Sequence, residues 1–142
     1  FLRKHFYRIV RDCQAQGTAI LISSHALSEI EGEIDKILIM KQGAVVIQGT
    51  LDQLREAAKL PTRIQVTTTP GEETRFKVFQ QQSPYAVNGE ERTGIFSFLC
   101  RQEEKVALME QIMVQQDSIR DLQIIPPRLD DLYAHFIGQD EQ

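Results

Sequence analysis

Residues 18–23 read TAILIS, a nearly continuous apolar run rich in β-branched side chains. A run of this kind is the pattern of a strand covered on both faces, and such strands belong to sheets flanked by helices. Before it, Leu2, Phe6, Ile9, Val10 and Cys13 fall on one helical stripe, and Gly17 supplies a residue suited to positive φ after a last helical turn. Helix, glycine and buried strand together make an α/β unit. Ser24 and His25 follow the run directly, then ALSEIEGEI, a short helix that Ser24 is placed to cap. In open α/β sheets ligands lie outside the carboxyl ends of the strands, so position singles out His25 as the candidate functional residue.

Farther along, KILIM (36–40) and AVVIQ (44–48) flank Lys41-Gln42-Gly43 and predict a β-hairpin. Thr50-Leu51-Asp52-Gln53 matches a capping box and opens a helix that runs to Pro61. After Thr62 the pattern changes. TRIQVTTT (62–69) alternates, Pro70-Gly71 marks a turn, and residues 72–82 carry both strand and helix periodicity, with Phe76 and Phe79 favouring helix. Tyr85 to Val87 and IFSFL (95–99), joined through Asn88-Gly89, predict a second hairpin. Residues 101–116 predict a helix with Val106, Met109, Ile112 and Met113 on its apolar face, and IRDLQII (119–125) predicts a last strand. This second part therefore reads as βαββαβ, the order called ferredoxin-like when both helices cover one side of a four-stranded sheet. Beyond Pro126-Pro127, Leu129, Leu132, Tyr133 and Phe136 form a helical stripe that requires an apolar partner, with Asp130 and Asp131 placed to offset the helix dipole.

Composition narrows the function. Sixteen basic against twenty acidic residues give a net charge of −4, and the basic residues form no cluster of the kind that binds nucleic acid. No apolar run approaches the roughly 20 residues needed to span a bilayer. Cys13 and Cys100 are far apart and belong to no metal-ligand spacing, so buried thiols in a reducing compartment are expected. His5 and His135 lack the strand-end placement of His25 and carry no functional expectation. Glu29, Glu31, Glu33 and Asp35 read as a solvated helix face rather than a metal site. Copper binding by Met40, Met109, Met113 or Cys100 is disfavoured, because these residues fall at core-like spacings. Ser23 or Ser24 with His25 would make a poor nucleophile and base, since adjacent residues on an extended chain point to opposite faces.

The stretch GTAILISSHALSEIEGEIDKILIMKQGAVVIQGTLDQL (17–54) resembles the part of ABC-transporter ATPases that follows their D-loop. The shared pattern is a core strand, the switch histidine, a short helix, two strands each followed by glycine, and a helix. The resemblance implies that His25 meets the γ-phosphate of ATP, that ATP and Mg²⁺ serve the intact subunit, and that the subunit is an ATPase. It also implies pairing with a second copy and with a membrane permease, on the cytoplasmic face of the cell membrane. Three further stretches, LREAAKLPTRIQV, KVALMEQIMVQQDSIRDLQIIPP and RLDDLYAHF, resemble the copper-type ABC ATPase of nitrous oxide reductase maturation. That likeness implies a role in copper or sulfur supply.

The expected organisation is a C-terminal piece of an ABC-type ATPase domain (1–60), an appended α+β regulatory or dimerisation domain (61–126), and a C-terminal helix and tail (127–142). The alternative is a stand-alone regulatory module that binds a small ligand or dimerises. No G-x-x-x-x-G-K-[ST] phosphate loop occurs, nor an apolar strand ending in Asp-Glu, so the chain alone is not expected to hydrolyse ATP. Phe1 is not an initiator, and a fragment of a longer subunit is expected. The coding sequence upstream of Phe1 should then specify the nucleotide loop, the signature and a Leu-Asp-Pro stretch. Reading that sequence is the check, and its lack of a nucleotide loop would end the ATPase reading.

Overall fold

A computed structural model describes residues 2–87 and 93–138. Its elements are mixed α and β, with two small antiparallel sheets. The first half comprises α1 (Leu2–Ala15), α2 (Leu27–Ile30), the hairpin β1 (Ile37–Lys41) and β2 (Ala44–Gly49), and α3 (Leu51–Ala58). The second comprises β3 (Thr62–Thr68), α4 (Glu73–Gln81), β4 (Ile95–Cys100), α5 (Lys105–Met113) and β5 (Ile119–Ile125), and α6 (Leu129–Gly138) ends the described chain.

In the hairpin, Lys41 pairs with Ala44, leaving a two-residue turn of Gln42 (φ 50°) and Gly43 (φ 81°). Positive φ at both central positions is the requirement of a type I′ turn, whose twist matches that of the strands. The expected capping box closes α3: the Gln53 N–H donates to Thr50 Oγ1 at 3.2 Å, and the Thr50 N–H donates to Gln53 Oε1 at 2.9 Å. Gly49 makes room for it, because a Cβ there would stand 2.7 Å from that same Gln53 oxygen.

β3, β4 and β5 form an antiparallel sheet in the order β4-β3-β5. Ile64 and Val66 of β3, Phe98 and Cys100 of β4, Phe76 of α4, and Leu108 and Ile112 of α5 form one buried cluster, so both helices cover the same face. Phe76 sits at its centre, with ring centroids 5.0 Å from Phe96 and 5.4 Å from Phe79. Burying such a ring contributes about 1.5–3 kcal/mol. Residues 73–81 are helical because Phe76 and Gln80, one turn apart, both face this core. The face of α5 differs from expectation. Leu108 and Ile112 carry it with Met109 beside them, while Val106 is 66% exposed, since it lies about 200° around the helix from Leu108.

Tyr85 to Val87 forms no strand, only an antiparallel bridge of Ala86 to Phe98. Two backbone hydrogen bonds hold it to β4, Val87 N–H to Ser97 O at 3.0 Å and Leu99 N–H to Tyr85 O at 2.8 Å. The expected Asn88-Gly89 turn lies outside the described residues. Between β4 and α5, Arg101 and Glu104 close a tight turn: the Arg101 N–H and Nη2 each donate to the Glu104 carboxylate at 2.9 Å. These bonds hold the Glu104 carboxyl below its ordinary range. Their stabilisation is present above the unfolded value and is lost as pH falls through the folded one.

Residues 18–23 form no strand, which corrects the expectation from their apolar pattern. Leu21 is 95% exposed and Ile20 40%, while Ile22 alone of the apolar residues turns towards a core. The physical reason is pairing: a covered strand needs hydrogen-bonded neighbours, and no strand among the described residues runs beside this segment. Leu2, Phe6 and Ile9 of α1 also face outward.

The C-terminal helix returns to the beginning of the chain. Leu132 and Phe136 of α6 share a buried cluster with Ile39 of β1 and with Leu54 and Ala58 of α3, while Leu129 packs with Tyr7 and Ile30. Lys41 Nζ donates to the Ile137 carbonyl at 2.8 Å, tying the last turn of α6 to the hairpin.

Two outcomes follow. Leu132→Ala is expected to lower the unfolding free energy by about 2–5 kcal/mol, and Val106→Ala to change it by less than about 0.5 kcal/mol, both read from urea denaturation. Uncovered apolar side chains on α1 and residues 20–21 are expected to drive self-association. Light scattering tests this: a strictly monomeric chain with Leu21 still solvent-facing counts against it, and Leu21→Gln should weaken any association.

Candidate functional site

His25 stands at a bend between the irregular 18–23 segment and α2. The Ala26 N–H donates to Ser24 Oγ at 3.0 Å, so the serine hydroxyl closes a small turn around the histidine instead of capping α2. The His25 side chain is exposed. An exposed imidazole at a chain bend can donate a hydrogen bond to an anionic oxygen arriving from solvent.

Of the four acids after His25, Glu29, Glu33 and Asp35 are exposed and Glu31 is half-buried, and the four diverge rather than converge. Glu29 pairs with Arg3 at 3.2 Å, Glu33 with Arg11 at 2.7 Å, and Asp35 accepts from Gln14 Nε2 at 2.8 Å, all three reaching across to α1. Exposed pairs of this sort contribute little, about 0–1 kcal/mol each. Glu31 is different. Its side chain is only 17% exposed and meets Arg55 of α3 at 3.3 Å, Arg128 at 3.7 Å and the Leu129 N–H at 3.3 Å. Sequence reasoning missed this node, because Arg55 and Leu129 lie 24 and 98 residues away and nothing local pairs them with Glu31.

The other candidates lie elsewhere. His5 Nδ1 accepts a hydrogen bond from Arg8 Nη2 at 2.8 Å on the exposed side of α1, and His135 stands edge-on to Phe136 in α6. Cys100 is buried in the sheet core, and desolvation, followed by the nearby Glu104 charge, pushes its thiol up, with Lys105 partly offsetting. Met109 packs against the core that holds Cys100, whereas Met40 belongs to β1 and Met113 is exposed on α5. Among the described residues, no three histidine, cysteine or acidic side chains are grouped to hold a metal ion.

An open cleft of about 500 Å³ lies between the uncovered face of the three-stranded sheet and α6. Leu60, Leu99, Ile125 and Pro126 line it with Arg63 and Arg128.

No protein-family model matches the chain. Among curated proteins, it is 27% identical over 84 residues to the vitamin B12 import ATP-binding protein BtuD of Vibrio vulnificus, covering 59% of this chain and 30% of that protein. It is 24% identical over 147 residues to the uncharacterized ABC transporter ATP-binding protein YhcH of Bacillus subtilis, covering 99% of this chain and 43% of that protein. A 52-residue match, 40% identical, joins 37% of the chain to 16% of the uncharacterized ABC transporter ATP-binding protein all4389 of a Nostoc species. The chain is a distant homologue of ABC transporter ATP-binding proteins. It spans less than half the length of each of these relatives.

The two thiols offer a check on the packing. In the folded chain Cys13, half-buried on α1, should react with Ellman's reagent, and Cys100 should react only once denaturant is added. Equal rates for both thiols under native conditions would contradict the buried placement of Cys100.

Proposed function

We propose that this chain is the C-terminal part of the ATP-binding subunit of an ABC transporter, with His25 as the residue that meets the γ-phosphate. The carrying observation is the exposed imidazole at a bend between an unpaired apolar segment and a short helix, within the stretch that resembles the switch region. A neutral imidazole donates one hydrogen bond to a phosphate oxygen, or orients water beside it, and phosphoryl transfer responds mainly to such positioning and charge stabilisation. ATP and Mg²⁺ are held by residues outside this chain. The exposed 18–23 segment is, in this reading, a strand of the larger nucleotide-binding sheet.

Residues 1–60 belong to the ATPase domain, 61–126 form an appended domain, and 127–142 carry the closing helix and tail. The appended domain is ferredoxin-like, its second strand reduced to the Ala86 bridge. This assignment is supported by the β5-β3-β4 order, extended by that bridge, and by two helices on one face. The intact subunit pairs with a second copy and with a membrane permease on the cytoplasmic face. Its cargo is copper or sulfur for nitrous oxide reductase, a choice supported by the sequence likeness of residues 54–66, 105–127 and 128–136. A different reading, a module binding a small ligand, is favoured by the cleft between the sheet and α6.

His25→Ala in a subunit carrying the upstream nucleotide-binding residues is expected to cut ATP turnover by about 10²–10³-fold and to leave nucleotide affinity unchanged. Steady-state hydrolysis and equilibrium binding of a fluorescent ATP analogue measure the two. Full turnover without the ring rejects the assignment.

A further inference from the structure

α2 is four residues long, too short to hold its own position by helical hydrogen bonding. What holds it is the start of α6. Ile30, its buried residue, packs in one cluster with Leu129, the first residue of α6, and with Tyr7, and Leu27 lies against the same cluster. At the end of α2, Glu31 Oε2 accepts the Leu129 N–H at 3.3 Å and lies 3.7 Å from Arg128 Nε, and Oε1 lies 3.3 Å from Arg55 Nη2. The same Arg55 guanidinium donates from Nε to the Pro127 carbonyl at 2.8 Å. One carboxylate and one guanidinium thus clamp residues 127–129, the link between β5 and α6, to the helix that follows His25.

We infer that Glu31 is a positioning residue for His25, which makes the placement of the imidazole depend on the 127–129 link and so on the appended sheet. Only five residues lie between His25 and Glu31, and α2 occupies four of them, so the bend at His25 has little slack with which to absorb a displacement of Glu31. The link is continuous with β5, which is hydrogen-bonded along its length to β3, so a shift of the sheet reaches the clamp through 126–128. The clamp also borders the cleft, whose lining includes Pro127 and Arg128. Coupling of this kind is reciprocal: whatever fixes His25 also favours one placement of the link. The functional consequence rests on the γ-phosphate reading, whereas the mechanical coupling does not.

Two measurements separate these layers. In the 142-residue chain, NMR of the imidazole ring protons compares Glu31→Gln with the unaltered protein. The His25 signals are expected to shift and broaden, while those of His5, on α1, stay in place. Arg128→Ala, at a mostly exposed side chain, should produce a smaller shift of the same signals, and it serves if Glu31→Gln folds poorly. In the subunit with its upstream residues, Glu31→Gln is expected to lower kcat by about tenfold with KM for ATP unchanged, and Glu31→Asp to restore part of it. Unmoved His25 signals in the folded variants, or an unchanged kcat in a subunit where His25→Ala does abolish turnover, would overturn the inference. Loss of the γ-phosphate reading would show instead as full turnover in His25→Ala, with the NMR coupling intact.

Discussion

Leu132 and Phe136 on one side, Ile39, Leu54 and Ala58 on the other, bury one another in a seam between the end of the chain and its first hairpin. Each partner alone is incomplete. A two-stranded hairpin has too little apolar area to be stable in water, and α3, at eight residues, is too short to persist alone. The amphipathic α6 supplies the missing cover, and its first residue extends the seam to Ile30 and Tyr7. Removing this contact would leave α2, the hairpin and α3 without a common core, and His25 without a frame.

The second core is assembled differently. It is built around Phe76 from residues closer in sequence, β3 to β5 with the two helices that alternate with them. Its strands were correspondingly legible: β3, β4 and β5 lie where alternation and turn residues place them, whereas residues 72–82 carried both periodicities and packing on Phe76 decides for helix. Val106 illustrates the limit. It sits at a plausible helical spacing from Met109 and Met113, yet the stripe that packs is the neighbouring Leu108 and Ile112, and a periodicity shared by two faces cannot say which one meets a sheet.

Legibility failed where a feature depends on something remote. TAILIS has every local attribute of a covered strand, but a strand is defined by its neighbours, and none stands beside it among the described residues. The stripe on α6 announced that it needed a partner without naming the hairpin and α3, which lie on the far side of the three-stranded sheet in sequence. The place of His25 at the end of an apolar run could be read locally, whereas its exposure at a bend could not. Glu31 was not legible: in sequence it is one of four similar acids, and it is distinguished only by the three elements that converge on it.

Arg55 reaches from α3 to the Pro127 carbonyl, so the place where the chain departs for the small sheet and the place where it comes back adjoin each other. The intervening span, Thr62 to Ile125, is therefore hung from a single doorway. A module attached in this way can be shortened, enlarged or exchanged for another without re-threading the rest, provided the replacement's two ends are equally close. Such a doorway leaves the frame of hairpin, α3 and α6 intact whatever hangs between its two ends, while α6 keeps its seat.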